Sequence, residues 1–109
     1  IVQFAKGDQT NPNPVATAIL LAGELADRAT FYRHDLASAE NPTIRKNPHV
    51  FMPSRDGADL AIRPIALGAQ EQIAVFLATD DASIIHPEPA RFFEVPVVLP
   101  LPEDLAFIP

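Results

Sequence analysis

Asp8 and His49 are the two residues of this chain whose types and contexts could carry out acid–base chemistry together. The aspartate stands in the segment GDQTNP, directly after a short apolar run, and the histidine stands in NPHVF. A histidine works as a general base when a carboxylate binds one of its ring nitrogens, because the carboxylate fixes the tautomer and stabilises the imidazolium that forms. The pair therefore predicts a base that activates a hydroxyl nucleophile, provided that the fold brings the two residues together.

Two predicted strands would bring them to one edge of a sheet. Residues 1–5 (IVQFA) and 29–33 (ATFYR) are strand-type runs, the first largely apolar and the second rich in β-forming residues. Asp8 would then lie just past the carboxyl end of the first strand, and His49 on a loop after the second. Open α/β sheets bind their ligands beyond the carboxyl ends of their strands. We therefore expect Asp8 and His49 to converge there.

Two helices are predicted from apolar residues that recur at steps of three and four. The first begins with Asn13 as the N-cap and Pro14 in the first turn, and Gly23 is placed to follow its last turn. The second covers residues 62–78, with Pro64 in its first turn. The predicted core-facing positions are Val15, Ala18, Ile19, Ala22 and Leu25 in the first helix, and Ile65, Ala69, Ile73, Phe76 and Leu77 in the second.

Prolines shape the remaining segments. Residues 34–48 are predicted to form a loop, because the Asn-Pro pairs at 41–42 and 47–48 disfavour regular structure, and the RDG segment at 55–57 predicts a turn. Half of the 12 prolines follow residue 86, where they prevent a sheet interior or a long helix. Apolar residues between them argue against a disordered tail. We expect residues 80–109 to form an extended strap over a core made by residues 1–79.

The predicted order β-α-β-α describes a portion of a parallel sheet rather than a whole one. Parallel strands need cover on both faces and neighbours at their edges, and this chain would leave its first strand with an unpaired edge. The sequence also begins without methionine, inside a strand-type run. We therefore expect the chain to need further protein, as an upstream segment or as a companion chain.

The arrangement resembles the C-terminal portion of an α/β-hydrolase. In that family the triad acid follows a late strand, commonly with a proline four residues on, as Pro12 follows Asp8. The triad histidine commonly precedes a small or apolar residue and a phenylalanine, as His49 precedes Val50 and Phe51. The order of acid before histidine also agrees. The resemblance covers about residues 1–78, and the strap resembles an extension of some bacterial, secreted-type lipases and esterases. It implies a serine carboxylic-ester hydrolase with Asp8 as acid, His49 as base and no cofactor.

One departure from the family pattern matters more than these matches. The nucleophile elbow Gly-x-Ser-x-Gly is absent, as is an oxyanion-hole segment of the His-Gly-Gly-Gly kind. Ser38, Ser54 and Ser83 have no flanking glycine pattern. Since the family's nucleophile precedes its acid, the serine would lie upstream or on a companion chain. This chain by itself is therefore not expected to catalyse ester hydrolysis.

Two alternatives remain open from the sequence. His34 could be the base in place of His49, because it stands at a strand end beside Asp35, which could orient it. The whole chain could instead be a non-catalytic α/β binding or scaffold module. In that case Asp8 is only a turn residue, and the strap is an interaction surface.

Composition argues against several other classes. A net charge of −6 with eight basic residues argues against nucleic-acid binding, which needs a clustered basic face. No apolar run approaches the roughly 20 residues that span a bilayer. The chain has no cysteine, and its three histidines lack metal-ligand spacing, so neither a disulfide nor a metal site is predicted. The compartment stays open, with secretion or the cell envelope suggested by the resemblance alone.

Overall fold

A three-stranded mixed sheet with helices on both faces forms the centre of the fold. The structure is a computed structural model and describes residues 1–53 and 60–109. Strand β1 (Val2–Ala5) pairs in parallel with β2 (Ala29–Tyr32), and β2 pairs in antiparallel orientation with β3 (Phe93–Glu94). The order across the sheet is β1-β2-β3, so β1 lies at an edge. The prediction of a parallel pair joined by a helix is confirmed, and the chain is a small α/β domain.

Three α-helices flank the sheet within these described ranges. Helix α1 (Asn13–Gly23) connects β1 to β2, α2 (His34–Glu40) follows β2, and α3 (Arg63–Ala78) precedes the C-terminal segment. None of them combines the length and the hydropathy that a bilayer crossing would require. The predicted turn at residues 55–57 lies outside the described residues.

The two faces of the sheet carry separate apolar clusters, because successive side chains of a strand point to opposite faces. Phe4 and Phe31 pack with Ala16 and Leu20 of α1 in one cluster. The other cluster contains neighbouring positions of the same strands and the buried side of α3, namely Ala5, Tyr32, Ile65 and Ala69, together with Phe51, Phe92 and Phe93. Each cluster therefore contains residues from both halves of the chain.

The structure corrects the prediction of a loop over residues 34–48, because residues 34–40 form α2. The segment HDLASAE contains good helix formers and no proline, and the helix ends where Asn41-Pro42 begins. The Asn-Pro pair therefore marks the end of a short helix rather than the middle of a loop. The remaining residues 41–48 are free of helix and strand, as expected.

The buried face of α1 also differs from the prediction. Asn13, Ala16, Thr17 and Leu20 are buried, whereas Val15 is 48% exposed and Ile19 is 55% exposed. The helix is apolar on both sides, so periodicity could not decide which side faces the sheet. A second, uncovered apolar side of α1 therefore remains, with Val15 and Ile19 on it.

The helix ends differ in detail as well. Pro12 rather than Asn13 occupies the N-cap position of α1, and the left-handed residue at the other end is Glu24 (φ 52°) rather than Gly23. In α3 the predicted core position Leu77 is 71% exposed, because the buried side ends at Gln72.

The C-terminal segment, residues 80–109, covers the second edge of the sheet. Backbone N–H groups of Arg33 and Val97 donate to the carbonyls of Phe92 and Ala29, on either side of the short β2–β3 pairing. Gln72 of α3 donates to the carbonyl of Ile85 at 2.6 Å. The proline-rich segment thus adds an edge strand of two residues and protects β2 from pairing with further protein. β1 keeps its other edge free of pairing within the described residues.

Candidate functional site

Asp8 lies on the turn that leaves β1, and its carboxylate organises that turn. Oδ1 accepts hydrogen bonds from the backbone N–H groups of Thr10 at 2.7 Å and Asn11 at 2.8 Å. Gly7 has a φ of 77°, and a Cβ at this position would lie 2.5 Å from the carbonyl oxygen of Ala106. Glycine is required there both by the backbone conformation and by the close approach of the C-terminal segment.

The structure brings Asp8 and His49 into direct contact. Nδ1 of His49 lies 3.0 Å from Oδ2 and 3.2 Å from Oδ1 of Asp8. An ionised carboxylate can only accept hydrogen bonds, so Nδ1 of the imidazole carries the proton and donates. In the neutral ring Nε2 is then left with a lone pair. This is the tautomer that a histidine needs in order to remove a proton from a nucleophile.

Asp8 and His49 differ in solvent exposure, as proton removal by the histidine requires. The side chain of Asp8 is 11% exposed, whereas that of His49 is 35% exposed. Among the described residues no hydrogen bond engages Nε2 of His49. The carboxylate is therefore covered by the protein, and the imidazole remains accessible to a group that approaches from outside.

Both side chains open onto a groove of about 340 Å³. Its lining includes all four residues of β1, so the groove runs along the unpaired edge of that strand. Val15 and Ile19 contribute the uncovered side of α1, and Phe51 lies on the side of the histidine loop. The groove is thus an apolar channel beside a free strand edge, with a carboxylate–imidazole pair in its wall.

Asn47 joins the two loops and was not identified from the sequence as a site residue. Its Oδ1 accepts hydrogen bonds from the backbone N–H of Gln9 at 3.2 Å and from that of His49 at 3.1 Å. The second bond closes a local turn of the kind that asparagine commonly makes with the residue two positions on. The Asn-Pro-His sequence could have indicated that local turn, but the bond to Gln9 depends on the tertiary fold.

His34 occupies a different environment from His49. Its side chain is fully buried, with Nε2 at 3.2 Å from the carbonyl oxygen of Lys46 and Nδ1 at 3.1 Å from the hydroxyl of Tyr32. Because a carbonyl only accepts, Nε2 donates to it, and in the neutral ring Nδ1 accepts from the tyrosine. Both ring nitrogens are therefore engaged inside the core, and the geometry does not favour His34 as the base.

Asp35, the expected partner of His34, binds cations instead. Its carboxylate lies 2.7 Å from Arg33 and 3.3 Å from Lys6, and Arg33 also reaches Glu94 at 2.8 Å. Burial by itself raises the pKa of Asp35, but the hydrogen bonds and charges of Arg33 and Lys6 outweigh it and lower the pKa from 3.8 to about 2. The hydrogen bond to Asp35, with a further one to Glu94, raises the pKa of Arg33 despite its partial burial. This network attaches β3 to the end of β2.

The His, Asp and Glu side chains of the described residues do not form a metal site. No group of three or more His, Asp or Glu side chains in residues 1–53 and 60–109 is arranged to hold a metal ion. Ser54 lies outside the described residues.

In comparisons with protein-family models, curated proteins and solved structures, no match to this chain was found.

Proposed function

We propose that this chain supplies the acid and the base of a serine carboxylic-ester hydrolase, an esterase or lipase of α/β-hydrolase type. The observation that carries the proposal is the contact of 3.0 Å between Oδ2 of Asp8 and Nδ1 of His49, with the imidazole open to a groove. The nucleophilic serine comes from an upstream segment or from a companion chain, because the sequence has no Gly-x-Ser-x-Gly.

The proposed reaction uses Nε2 of His49 twice in each half-reaction. It takes the proton from the serine hydroxyl as the oxygen attacks the ester carbonyl, and it returns that proton to the alcohol that leaves. In the second half it takes a proton from water, whose oxygen attacks the acyl-serine, and returns it to the serine. Asp8 stabilises the imidazolium in each case and keeps the proton on Nδ1.

The free edge of β1 supports the need for further protein. The other edge of the sheet is β3, a strand of only two residues, so β1 offers the longer free edge to additional strands. A strand placed there would fill the part of the groove beside β1 and cover the exposed side chains of Val15 and Ile19 on α1. A parallel strand in that position would end at the same edge as Asp8 and His49, where a serine on the following turn could meet the imidazole.

The second candidate is a non-catalytic α/β binding or scaffold module. It is favoured by the two bonds that Oδ1 of Asp8 accepts from Thr10 and Asn11, because these alone account for a buried carboxylate at this turn. In this case the pairing of His49 with Asp8 serves only to join two loops.

The test uses the protein as it is isolated, with any companion chain attached. It is treated with a fluorophosphonate, which phosphonylates activated serines, and hydrolysis of p-nitrophenyl esters of several acyl lengths is measured in parallel. We expect one serine in a Gly-x-Ser-x-Gly segment to be labelled, with loss of ester hydrolysis, and native mass spectrometry to assign it to this polypeptide or to a bound partner. A folded species of 11.8 kDa that is neither labelled nor active would support the module instead.

A further inference from the structure

The loop that carries His49 is fixed on its inner side at two points. The carbonyl of Lys46 accepts from His34, and Pro48 is fully buried, with its own carbonyl accepting from the N–H of Phe51 at 2.9 Å. Asn47 lies between these two anchored residues. Its backbone position is therefore determined by the core, independently of the turn that follows β1.

The side chain of Asn47 faces the other way, toward that turn. Its Oδ1 accepts from the N–H of Gln9, the residue directly after Asp8, and from the N–H of His49 at the same time. One oxygen atom thus holds the backbone beside the carboxylate and the backbone of the histidine. These two bonds and the Asp8–His49 contact form a closed bridge between the two loops.

We infer that Asn47 is a positioning residue, which sets the separation and orientation of the Asp8 carboxylate and the His49 imidazole. The inference rests on the proposed function, because a pair that transfers protons needs a fixed geometry. An amide oxygen suits this role, since it accepts two hydrogen bonds without carrying charge beside the imidazole. Asn47 itself does not contact the reacting atoms.

Asn41 provides a matched control in the same chain. It too precedes a proline, and its Oδ1 accepts from the N–H of the residue two positions on, Thr43, at 3.1 Å. Its other bond is to the hydroxyl of the same residue, so its turn is local. Asn41→Ala therefore removes a turn of the same kind without separating the two loops.

The first measurement is independent of catalysis. The ring nitrogens of His49 are observed by ¹⁵N-resolved NMR in the intact protein, together with the Nδ1–H proton. We expect a hydrogen-bonded Nδ1–H signal in the parent and in Asn41→Ala. In Asn47→Ala it should be lost or moved upfield, and in Asn47→Asp, which keeps an oxygen at the same place, it should be largely restored. An unchanged Nδ1–H signal in Asn47→Ala would overturn the inference.

The second measurement is ester hydrolysis by the same four proteins. A displacement of the base by about 1 Å can lower turnover by about 100-fold, so we expect kcat of Asn47→Ala to fall by 10- to 100-fold with little change in KM. Asn41→Ala should match the parent. An equal loss in Asn41→Ala would show that the effect is general destabilisation of the loop, which overturns the inference.

The two measurements separate this inference from the proposed function. If no form hydrolyses esters but the NMR signal depends on Asn47 as described, the serine hydrolase is rejected and the positioning of the pair is retained. If the parent is active and Asn47→Ala keeps both its activity and its NMR signal, the hydrolase is retained and the role of Asn47 is rejected.

Discussion

The carboxylate of Asp8 contacts both the imidazole of His49 and the backbone of its own turn. Oδ2 lies 3.0 Å from Nδ1 of His49. Oδ1 lies 3.2 Å from the same nitrogen and also accepts the N–H groups of Thr10 and Asn11. The turn and the histidine are therefore held by the same group. A structural role and a catalytic role for Asp8 do not exclude each other. A substitution that separates them must keep Oδ1 as an acceptor for the turn and change Oδ2, the oxygen nearer to Nδ1 of His49.

Asp8→Asn makes this separation. The amide oxygen can still accept from the turn, but the amide nitrogen presents N–H groups toward His49 and favours the opposite tautomer. We expect turnover of esters to fall by about 10⁴-fold, as it does for the equivalent change in a serine protease triad, with little loss of stability. Turnover is compared with that of Asp27→Asn, an exposed control. An Asp8→Asn protein with full activity would remove Asp8 from the mechanism.

Replacements of the two histidines should have opposite consequences. His49→Ala removes the proposed base from a partly exposed position, so activity should vanish while the free energy of unfolding changes little. His34→Ala removes a fully buried ring and its hydrogen bonds with the hydroxyl of Tyr32 and the carbonyl of Lys46, which should cost about 3 kcal/mol. Urea unfolding and ester hydrolysis, measured for both variants, decide which histidine is the base. Loss of activity without loss of stability in His34→Ala would reverse the assignment.

Substitutions of two exposed side chains of α1 test where further protein binds. Ile19 is 55% exposed and lines the groove beside β1, whereas Leu21 is 62% exposed and does not line it. Placing a lysine at Ile19 should prevent a neighbouring strand or companion chain from packing there, because its ammonium would be buried. Ile19→Lys should weaken that association in native mass spectrometry by at least 10-fold, and Leu21→Lys should not. Equal effects would place the contact elsewhere.

Gly68→Ala tests the close packing of the C-terminal segment on α3. A Cβ at Gly68 would overlap the carbonyl oxygen of Glu88, so the C-terminal segment must move. Although alanine is the better helix former by up to about 1 kcal/mol, we expect a net loss of about 2 kcal/mol or more. At Gly23 the three atoms nearest to the added Cβ all belong to the side chain of Leu25, which can rotate. Gly23→Ala should therefore be close to neutral, and thermal unfolding of both variants checks the difference.

The lowered pKa of Asp35 predicts that part of the free energy of unfolding is lost at acid pH. Its pKa is about 2 in the folded chain and 3.8 in an unperturbed carboxyl group, so the folded state binds this proton less readily. The resulting stabilisation is complete above the unfolded pKa and is lost as the pH falls through the folded value. Urea unfolding at pH 5 and pH 2 should show a larger loss for the parent than for Asp35→Asn. Parallel losses in the two proteins would show that the network with Arg33 contributes nothing measurable.

The sequence by itself determined the main secondary-structure elements and indicated the candidate pair. Strand-type residues in two short runs gave β1 and β2, and the apolar repeats gave α1 and α3, because these patterns express local periodicity. The contexts of Asp8 and His49 were sufficient to select them as a candidate pair, since both segments resemble those of the acid and the histidine in α/β-hydrolases. The prediction of a loop over residues 34–48 is wrong for residues 34–40, because a proline limits only its immediate neighbours and the two Asn-Pro pairs lie beyond that helix.

Only the tertiary structure decided which surfaces meet. Both sides of α1 are apolar, so the side that faces the sheet is set by Phe4 and Phe31 and not by the helix itself. The edge strand β3 forms because the fold brings residues 93 and 94 beside β2, which no local pattern encodes. The same holds for Asn47, whose oxygen joins Gln9 to His49 only when the two loops are adjacent. Contacts between residues far apart in the chain depend on the shape of the assembled core, and that shape is a property of all its packed residues together.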